Sequence, residues 1–253
     1  MFRVVIPARY GSTRLPGKAL LPLAGKPMIQ WVYERARRSS AQQVIVATDD
    51  ERIAAVVREQ GGEAALTAAT HASGTDRIAE LARRERWPDS DVVVNLQGDE
   101  PMMPAALIDQ VAAMFAVHAQ ADIATLSMPL ESVAALLDPH VVKVVTDTRQ
   151  RALYFSRAPI PWTRDGAEGA LDTQRSFAGA QRHIGMYAYR VAALVRVASL
   201  PPSPLEQLEK LEQLRALENG MDIRVARATV PPGADVNTAH DLTAVAALLQ
   251  SGG

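Results

Sequence analysis

The sequence begins with Phe2-Arg-Val-Val-Ile6, and this short apolar run leads directly into Pro7-Ala-Arg-Tyr-Gly-Ser-Thr-Arg-Leu-Pro-Gly-Lys18. The apolar run has the β-branched composition of a buried strand, and the proline after it is predicted to end that strand. The second segment combines glycines and hydroxyl side chains with three cations, Arg9, Arg14 and Lys18. A strand followed by such a loop favours an α/β protein whose loop binds an anion.

The following residues repeat the order of strand and helix. Apolar runs at 44–48 and 91–96 predict two further strands, and amphipathic periodicity predicts helices at 28–38, 51–60 and 75–86. Strands joined by single helices form right-handed βαβ units, so we expect a mostly parallel sheet with helices on both faces. The loops after the strands then meet at the edge of the sheet where such folds bind ligands.

The second half of the chain has a different pattern. Apolar segments at 141–146 and 152–156 flank a polar stretch and predict a β-hairpin. A leucine at every third position from Leu205 to Leu217 predicts one helix through Glu218, for core packing or a dimer contact. We therefore predict a single domain over 1–253, with an antiparallel insertion at about 140–220.

Composition excludes several classes of protein. Hydrophobic residues make up 48% of the 253, which is enough for a large core and argues against disorder. The 27 basic and 28 acidic residues leave a net charge of -1, so nucleic acid is not an expected partner. Without cysteine there is no disulfide and no thiol nucleophile. No uncharged run approaches the roughly 20 residues of a membrane helix, and we expect a cytoplasmic protein.

The basic loop has two interpretations. Its glycines, Gly11 among them, let backbone N–H groups approach a phosphate closely, and its three cations would neutralise a polyphosphate. The alternative is a solvated basic loop. The spacing is not that of a P-loop, because Ala19 rather than a hydroxyl residue follows Lys18. The position of the loop at the carboxyl edge of the sheet favours phosphate binding.

Two other segments carry candidate ligand groups, and the first of them follows a strand to the same edge. Asp99, in Gln97-Gly-Asp-Glu-Pro101, follows an apolar strand and is suited to hold a hydrated divalent cation. The alternative for Asp99 is an N-terminal helix cap. Ser73 and Gly74 offer small polar groups to a base or ribose, and here ordinary helix capping is the favoured interpretation from the residues alone.

Candidate ligand residues also occur in the second half. Arg157 and His183, on neighbouring predicted strands, are placed to grip a carboxylate, and the arginine fork suits bidentate pairing. A structural ion pair for Arg157 and a packed neutral ring for His183 are the alternatives, the latter favoured by the residues alone. Glu212 and Gln213 face a polar ligand if their helix turns that way. No Ser-His-Asp set and no zinc motif is apparent.

Taken in order along the chain, nine segments match one family. They are Val5 to Lys18, Gly25-Lys-Pro-Met28, Ile45-Val-Ala-Thr-Asp49, His71-Ala-Ser-Gly-Thr75, Asn95-Leu-Gln-Gly-Asp-Glu-Pro101, Leu153-Tyr-Phe-Ser-Arg157, Arg182-His-Ile-Gly185, Ser203-Pro-Leu-Glu206 and Leu211-Glu-Gln-Leu-Arg215. With them the chain resembles the 3-deoxy-manno-octulosonate cytidylyltransferases, also called CMP-KDO synthetases. The first segment alone fits many nucleotidyltransferases, whereas the later ones are specific to this family.

The resemblance implies a fold and a reaction. The fold is a nucleotide-diphospho-sugar transferase domain with an antiparallel insertion for sugar binding and dimerisation. The reaction is CTP plus 3-deoxy-D-manno-octulosonate (KDO) giving CMP-KDO and pyrophosphate, with Mg²⁺ as cofactor. The product serves lipopolysaccharide biosynthesis in the Gram-negative cytoplasm, and the expected assembly is a homodimer without nucleic acid or membrane partners.

The resemblance also implies residue roles. It assigns the CTP phosphates to Arg9, Arg14 and Lys18 of the basic loop. It assigns the rest of the nucleotide to Ala8, Gly11, Ser73, Gly74 and Gln97, and catalysis to Arg14, Lys18 and Asp99. The sugar pocket it implies comprises Gln97, Arg157, His183, Tyr187, Glu212 and Gln213.

One segment departs from the family pattern. Where the family has Gly-Val-Asp-Thr-Pro-Glu-Asp, this chain has Asp235-Val-Asn-Thr-Ala-His-Asp241, so a neutral Asn237 takes the position of the second metal ligand. Asp235 lies two residues earlier and faces the same way if the stretch is extended. The metal ligands implied are thus Asp99 with Asn237 or Asp235. A related acidic sugar, such as an 8-amino KDO analogue or a sialate, and a catalytically silent nucleotide-binding protein are the alternatives.

Overall fold

A computed structural model of the protein describes residues 1–11, 15–166 and 173–251. Arg14 lies outside these ranges. The strands are β1 (Phe2–Ala8), β2 (Pro22–Leu23), β3 (Lys26–Pro27), β4 (Gln43–Thr48), β5 (Glu63–Leu66), β6 (Val92–Asn95), β7 (Ile123–Pro129), β8 (Lys143–Thr146), β9 (Ala152–Ser156), β10 (Gln181–Arg190) and β11 (Ile223–Arg227). The helices are α1 (Met28–Arg37), α2 (Glu51–Glu59), α3 (Gly74–Arg84), α4 (Ala105–Val117), α5 (Val133–Leu137), α6 (Val191–Ser199), α7 (Pro204–Glu209), α8 (Gln213–Glu218) and α9 (Ala239–Ser251).

The chain divides into two compact units. Unit 1 contains 1–113, 186–198 and 229–253, and unit 2 contains 114–185 and 199–228. Most of the insertion predicted at about 140–220 belongs to unit 2, whereas 186–198 belongs to unit 1. None of the helices that the structure describes is both long and apolar enough to cross a membrane.

Unit 1 contains the predicted parallel sheet. Strand β1 lies between β4 and β6 and is parallel to both, with Val5 opposite Ile45 on one side and Asn95 on the other. Strand β5 extends the sheet in parallel beyond β4, and the second half of β10 pairs antiparallel with β6. Consecutive residues of β1 are wholly buried, so both faces of this strand are covered, as in other parallel sheets.

The first strand is longer than the sequence pattern predicts. Pro7 does not end it: the ladder continues with Pro7 opposite Ala47 and Ala8 opposite Thr48. A proline removes only an N–H donor and keeps its carbonyl, so it is tolerated where a strand reaches the rim of a sheet. The basic loop therefore leaves the sheet two residues later than expected.

Among the strands that the structure describes, β5 is the last at one edge of the unit 1 sheet and pairs with β4. Two arginines from the helices beside it bind carbonyls that point away from the sheet. Arg84 of α3 donates from Nη1 to the Leu66 carbonyl at 2.6 Å, and Arg58 of α2 donates from Nη2 to the Ala64 carbonyl at 3.3 Å. Two carbonyls of this edge are thereby occupied by side chains.

Unit 2 contains the predicted hairpin. Strands β8 and β9 are antiparallel, with a register shift between Val145 and Thr146, and the first half of β10 pairs antiparallel with β8. Strands β7 and β11 of the same unit are parallel. The hairpin prediction is confirmed, and the antiparallel pairs of unit 2 are the antiparallel portion that the sequence predicted.

The single leucine-rich helix predicted from Leu205 to Glu218 is wrong. Lys210 adopts a left-handed conformation (φ 52°) and divides the segment into α7 and α8. Leu208 is 79% exposed, whereas Leu211 and Leu214 are buried, so the leucines do not form one stripe. The break lets Glu209, the last residue of α7, turn its carboxylate to the hairpin, where it accepts from the Ser156 hydroxyl at 2.6 Å.

A buried ion pair connects α3 of unit 1 to the end of β4. Arg77 donates from Nη2 to Asp49 Oδ2 at 2.9 Å, its side chain is 4% exposed, and a further bond runs from Nη1 to the Thr67 hydroxyl. The second carboxylate oxygen of Asp49 is buried without a hydrogen-bond partner. Removing the guanidinium would leave a nearly buried carboxylate with no opposite charge.

We expect Arg77→Met to lower the free energy of unfolding by about 3 kcal/mol, the usual cost of breaking a buried pair from one side. The matched control is Arg52→Met, because Arg52 pairs with the neighbouring Asp50 at 2.6 Å in solvent. The control should leave the urea midpoint nearly unchanged. Equal losses in the two variants would contradict the special cost of the buried pair.

Candidate functional site

A cleft of about 260 Å³ opens at the carboxyl ends of the unit 1 strands. Three chain segments meet there: 7–9 at the end of β1, 71–74 before α3, and 97–99 after β6. Lys18, Arg77 and Asn237 complete its polar lining. The expectation that the loops after β1 and β6 meet at this edge is confirmed, and the cleft contains residues from each of the three motifs selected from the sequence.

Two glycines allow the three segments to approach this closely. A Cβ on Gly98 would lie 3.0 Å from the Pro7 carbonyl oxygen, and a Cβ on Gly74 would lie 2.9 Å from the Pro7 ring. The first of these contacts is with backbone, which cannot move aside cheaply. Pro7 is therefore the point against which both neighbouring segments pack, and any side chain at Gly98 would separate the loops.

Ser73 has the capping role that the residues alone favoured. Its hydroxyl accepts from the Asp76 N–H at 3.1 Å, and its own N–H donates to Asp76 Oδ2 at 3.1 Å, which together form a capping box at the start of α3. Helix α3 begins at Gly74, one residue before the predicted start at 75. Ser73 and Gly74 also line the cleft, so the roles in the helix and in the cleft are compatible.

The described parts of the basic loop are anchored outside the cleft by Tyr10. The guanidinium carbon of Arg52 lies 3.7 Å from the centre of the Tyr10 ring, and the Tyr10 carbonyl accepts from the Gly17 N–H at 3.0 Å. Gly17 has a positive φ of 66° that favours glycine, and it directly precedes Lys18. Ala8 and Arg9 line the cleft; Gly11 is exposed, and Arg14 is not described.

The carboxylate of Asp99 lies opposite the ammonium of Lys18 in the cleft. Asp99 Oδ2 accepts from Lys18 Nζ at 2.8 Å. The segment with the departure from the family pattern reaches the same place, because the Val236 N–H donates to the Asp99 carbonyl at 2.9 Å. Within that segment Asn237 donates its side-chain amide to Asp235 Oδ2 at 2.6 Å. Asp235 and Asn237 are thus both brought beside Asp99.

Glu100 is a residue of this cluster that the sequence analysis missed. Its Oε2 is buried and has no hydrogen-bond partner in the structure. Burial, together with the negative charges of Asp99 and Asp235, raises the pKa of Glu100 to about 8. The signal was present in the sequence, because Glu100 directly follows Asp99, but nothing local distinguishes a buried glutamate from a solvated one.

The donor set fits a magnesium ion held jointly with a nucleotide. Within 1–11, 15–166 and 173–251, no three His, Asp or Glu side chains form a ready-made metal cage. Mg²⁺ commonly uses one or two carboxylates and takes its other oxygens from water and phosphate. Asp99 and Asp235 supply such oxygens, and the buried Oε2 of Glu100 beside them is a polar atom without a hydrogen-bond partner.

Two predicted sugar residues belong to unit 1 and meet at Asn95. Tyr187 of β10 is directly opposite Asn95 of β6, and Gln97 donates its side-chain amide to Asn95 Oδ1 at 3.2 Å. Asn95 is buried, and it was not selected from the sequence as a candidate. It orients the amide of Gln97.

In unit 2, Arg157 is held at several atoms. Its Nε donates to the Glu209 carbonyl at 2.7 Å, and its Nη1 donates to the Pro139 carbonyl at 2.8 Å. Its own N–H donates to Glu209 Oε2 at 2.8 Å, and its carbonyl accepts from Lys143 Nζ at 2.6 Å. Lys143 is fully buried and burial lowers its pKa. These contacts fix the direction of the Arg157 fork and occupy part of its donors.

The remaining predicted sugar residues also lie in unit 2. His183 is buried: its ring lies edge-on to Phe155 with centres 5.0 Å apart, and its Nε2 lies 2.9 Å from the Thr125 hydroxyl. Burial, aided by the charge of Arg182, lowers the pKa of His183 to about 3, so the ring is neutral at physiological pH. Glu212 and Gln213 are half-buried at the start of α8.

The depressed pKa predicts a pH-dependent stability. An unfolded histidine takes up a proton below about pH 6.5, whereas folded His183 does so only near pH 3. The contribution of His183 to the free energy of unfolding is therefore complete above pH 6.5 and falls by about 1.4 kcal/mol for each pH unit below it. From pH 7.5 to 5 we expect a loss of about 2 kcal/mol in urea unfolding that His183→Gln does not show. The exposed His140→Gln should keep the wild-type dependence; the same slope in both variants would contradict the assignment.

Comparison with known proteins first gives the class. The family model described as Cytidylyltransferase matches residues 3–223, so the α/β fold and its cleft are those of a cytidylyltransferase. Proteins named 3-deoxy-manno-octulosonate cytidylyltransferase from Thioalkalivibrio sulfidiphilus and Halorhodospira halophila are 52% and 53% identical to the chain over 250 residues. These alignments cover 99% of this chain and 99% and 97% of the two relatives.

A solved structure agrees with the sequence relatives. The structure of CMP:2-keto-3-deoxy-manno-octonic acid synthetase complexed with CTP matches with a TM-score of 0.88 and 42% identity, and the match covers 99% of both chains. The chain belongs to the 3-deoxy-manno-octulosonate cytidylyltransferase family.

Proposed function

We propose that the protein transfers CMP from CTP to KDO, giving CMP-KDO and pyrophosphate for lipopolysaccharide biosynthesis. The observation that carries this proposal is the pairing of Lys18 with Asp99 inside the unit 1 cleft, where a cation suited to phosphate and a carboxylate suited to a metal stand 2.8 Å apart. The family membership supports the substrate pair, since relatives about 52% identical are named for this sugar.

The nucleotide occupies the cleft in this proposal. Arg9 and Lys18 bind the triphosphate together with Arg14, and their positive charges offset the charge of the phosphates. Ala8, Ser73 and Gly74 contact the base and ribose, where small side chains leave room for a planar ring. The volume of about 260 Å³ leaves space for a ligand between these segments.

Asp99 would hold a magnesium ion with Asp235, and Asn237 contributes orientation through its bond to the Asp235 carboxylate. When bound, the ion supplies charge neutralisation at the α-phosphate and acidifies the attacking hydroxyl. The neutral Asn237 lowers the charge of the site, so the phosphates of CTP must supply part of the binding energy for the ion.

The chain itself contributes positioning and charge. The anomeric hydroxyl of the sugar attacks the α-phosphorus in line and loses its proton to solvent, the bond between the α-phosphorus and the oxygen that bridges it to the β-phosphate breaks, and pyrophosphate leaves. Lys18 and Arg14 stabilise the negative charge that develops on the leaving group. No covalent intermediate with the protein is needed, because orientation and electrostatics carry the transfer.

In the sugar pocket, Arg157 supplies the positive charge that pairs with the carboxylate of KDO. His183 cannot supply it, because its pKa of about 3 keeps the ring neutral, so it serves as a hydrogen-bonding wall. Further polar contacts to the sugar hydroxyls come from Gln97, Tyr187, Glu212 and Gln213. This division assigns charge recognition to one residue and shape recognition to the others.

We further propose that the protein acts as a homodimer in the cytoplasm, the compartment in which CTP is available. Two large apolar side chains of unit 2 support a dimer, because a second copy would cover them: Leu153 is 58% exposed and Leu208 is 79% exposed. Two-fold dimers are the commonest soluble oligomers.

Pyrophosphate release is the direct test of the activity. The protein should release pyrophosphate from CTP only when KDO is added, and far more slowly with a sialate or with an 8-amino analogue. Fastest release with one of those sugars would reassign the acceptor. Tight CTP binding with no release for any of the three sugars would identify a silent nucleotide-binding protein.

The charge role of Arg157 predicts a selective defect. Arg157→Lys keeps the charge but loses the fork and its fixed direction, so the KM for KDO should rise about tenfold or more while the KM for CTP stays within about twofold. The exposed Arg164→Lys is the matched control in the same unit and should change neither constant. Parallel rises in both KM values after Arg157→Lys would indicate a structural role only.

A further inference from the structure

We propose that Lys18 is an exchangeable counter-ion of Asp99. Without nucleotide, the ammonium of Lys18 pairs with the Asp99 carboxylate, and when CTP binds, the ammonium moves to the triphosphate. The Asp99 carboxylate therefore becomes available to a divalent cation only when CTP is bound. This inference rests on the proposed function and goes further, because it sets the order in which nucleotide and metal bind.

The contact itself is the first support. Lys18 Nζ donates to Asp99 Oδ2 at 2.8 Å, and the side chains are 13% and 33% exposed. A lysine in such a contact satisfies an oxygen that a metal would need. Unlike the fixed fork of arginine, an ammonium on a four-carbon stem can change partners while its backbone stays in place.

The backbone of Lys18 is in fact fixed. It begins a 3₁₀ turn, Lys18–Leu20, directly after the left-handed Gly17. Its N–H donates to the Leu15 carbonyl at 3.1 Å, and its carbonyl accepts from the Leu21 N–H at 3.2 Å. The pivot is thus rigid and only the side chain needs to move.

Charge balance explains why the lysine is needed at this place. The Val236 N–H donates to the Asp99 carbonyl at 2.9 Å, which brings the Asp235 carboxylate beside Asp99, and the ammonium of Lys18 offsets part of this negative charge. A divalent cation arriving alone must displace this ammonium and then remain next to it. A triphosphate removes both obstacles, because it attracts the lysine and adds oxygens for the metal.

The test measures Mn²⁺ binding without nucleotide, using electron paramagnetic resonance to follow the free ion. Lys18→Met should bind Mn²⁺ about threefold to fivefold more tightly than the wild type, the upper part of the range that follows from losing one partly exposed ion-pair competitor. Lys18→Gln provides a second variant with a polar end. Arg9→Met removes a charge from the same cleft without touching Asp99, and it should change Mn²⁺ affinity by less than about twofold.

A double-mutant cycle assigns the effect to the pair. In an Asp99→Asn background, Lys18→Met should no longer tighten Mn²⁺ binding. The proposal is overturned if Lys18→Met leaves Mn²⁺ affinity unchanged, or if Arg9→Met tightens it as much, since the effect is then one of general charge.

Nucleotide binding separates this proposal from the proposed function. With CTP present and the sugar omitted, Lys18→Met should bind CTP about tenfold more weakly, the opposite sign to its effect on Mn²⁺ alone. Weaker CTP binding without tighter Mn²⁺ binding would leave the phosphate role standing and remove the counter-ion exchange. Tighter Mn²⁺ binding with unchanged CTP affinity would remove the phosphate role of Lys18 and, with it, the exchange.

Discussion

Asp99→Asn should reduce the rate of pyrophosphate release by roughly 10³-fold at saturating CTP and KDO. The substitution keeps the size and shape of the side chain but removes the negative charge that faces Lys18 at 2.8 Å. It thereby weakens the hold on a cation at the position where charge develops in the transfer. The folded structure should survive, because Asp99 lies in the cleft and its backbone carbonyl still accepts from Val236.

The matched control for this prediction is Asp91→Asn. Asp91 precedes β6 as Asp99 follows it, and it pairs with Arg3 outside the cleft. Its variant should keep turnover within about threefold of the wild type. If Asp99→Asn remains active while Asp235→Asn is inactive, the principal carboxylate of the site is Asp235 and our assignment is wrong.

Lys18→Met should lower turnover by about 10²-fold, the range observed when one preorganised charge donor is lost from an active site. Lys18 is one of four lysines in the chain, and Lys26 provides the control. The ammonium of Lys26 lies 3.7 Å from the centre of the Trp31 ring and pairs with Glu34, so Lys26→Met removes the same charge outside the lining of the cleft. Steady-state kinetics of pyrophosphate release compares the two.

Rescue by arginine refines this prediction. Lys18→Arg keeps the charge and should recover part of the turnover that Lys18→Met loses. If Lys18 has a role in folding alone, both variants should instead lose thermal stability by the same amount. Near-normal turnover in Lys18→Met would exclude the lysine from the reaction.

The sequence predicted the parallel sheet and the meeting of three loops because both follow from local patterns. The apolar runs that became β1, β4 and β6 are short and flanked by helices, and the carboxyl ends of parallel strands share one edge whatever their side chains are. This is why Ala8 and Asp99 could be placed at one edge from the sequence, whereas Ser73 was placed with them only by the family resemblance. Arg14 was predicted with them and stays a prediction.

The features that the sequence did not predict depend on contacts between distant residues. The break at Lys210 goes with the bond from Ser156 to Glu209, which are 53 positions apart. The neutral state of His183 depends on burial beside Phe155 and Thr125, and the raised pKa of Glu100 depends in part on the charge of Asp235, which is distant in the sequence. Periodicity reports one element at a time, so it cannot detect such pairs.

The arginines at the edge of the unit 1 sheet have a consequence for the behaviour of the protein at high concentration. An unpaired strand edge is a template on which a second molecule can add a strand, and this is a common start of aggregation. Arg58 and Arg84 already occupy the carbonyls of Ala64 and Leu66, and each arginine is also paired with a glutamate of its own helix. A second molecule that adds a strand at this edge must therefore displace a bound side chain from each of these two carbonyls, which opposes strand addition to β5.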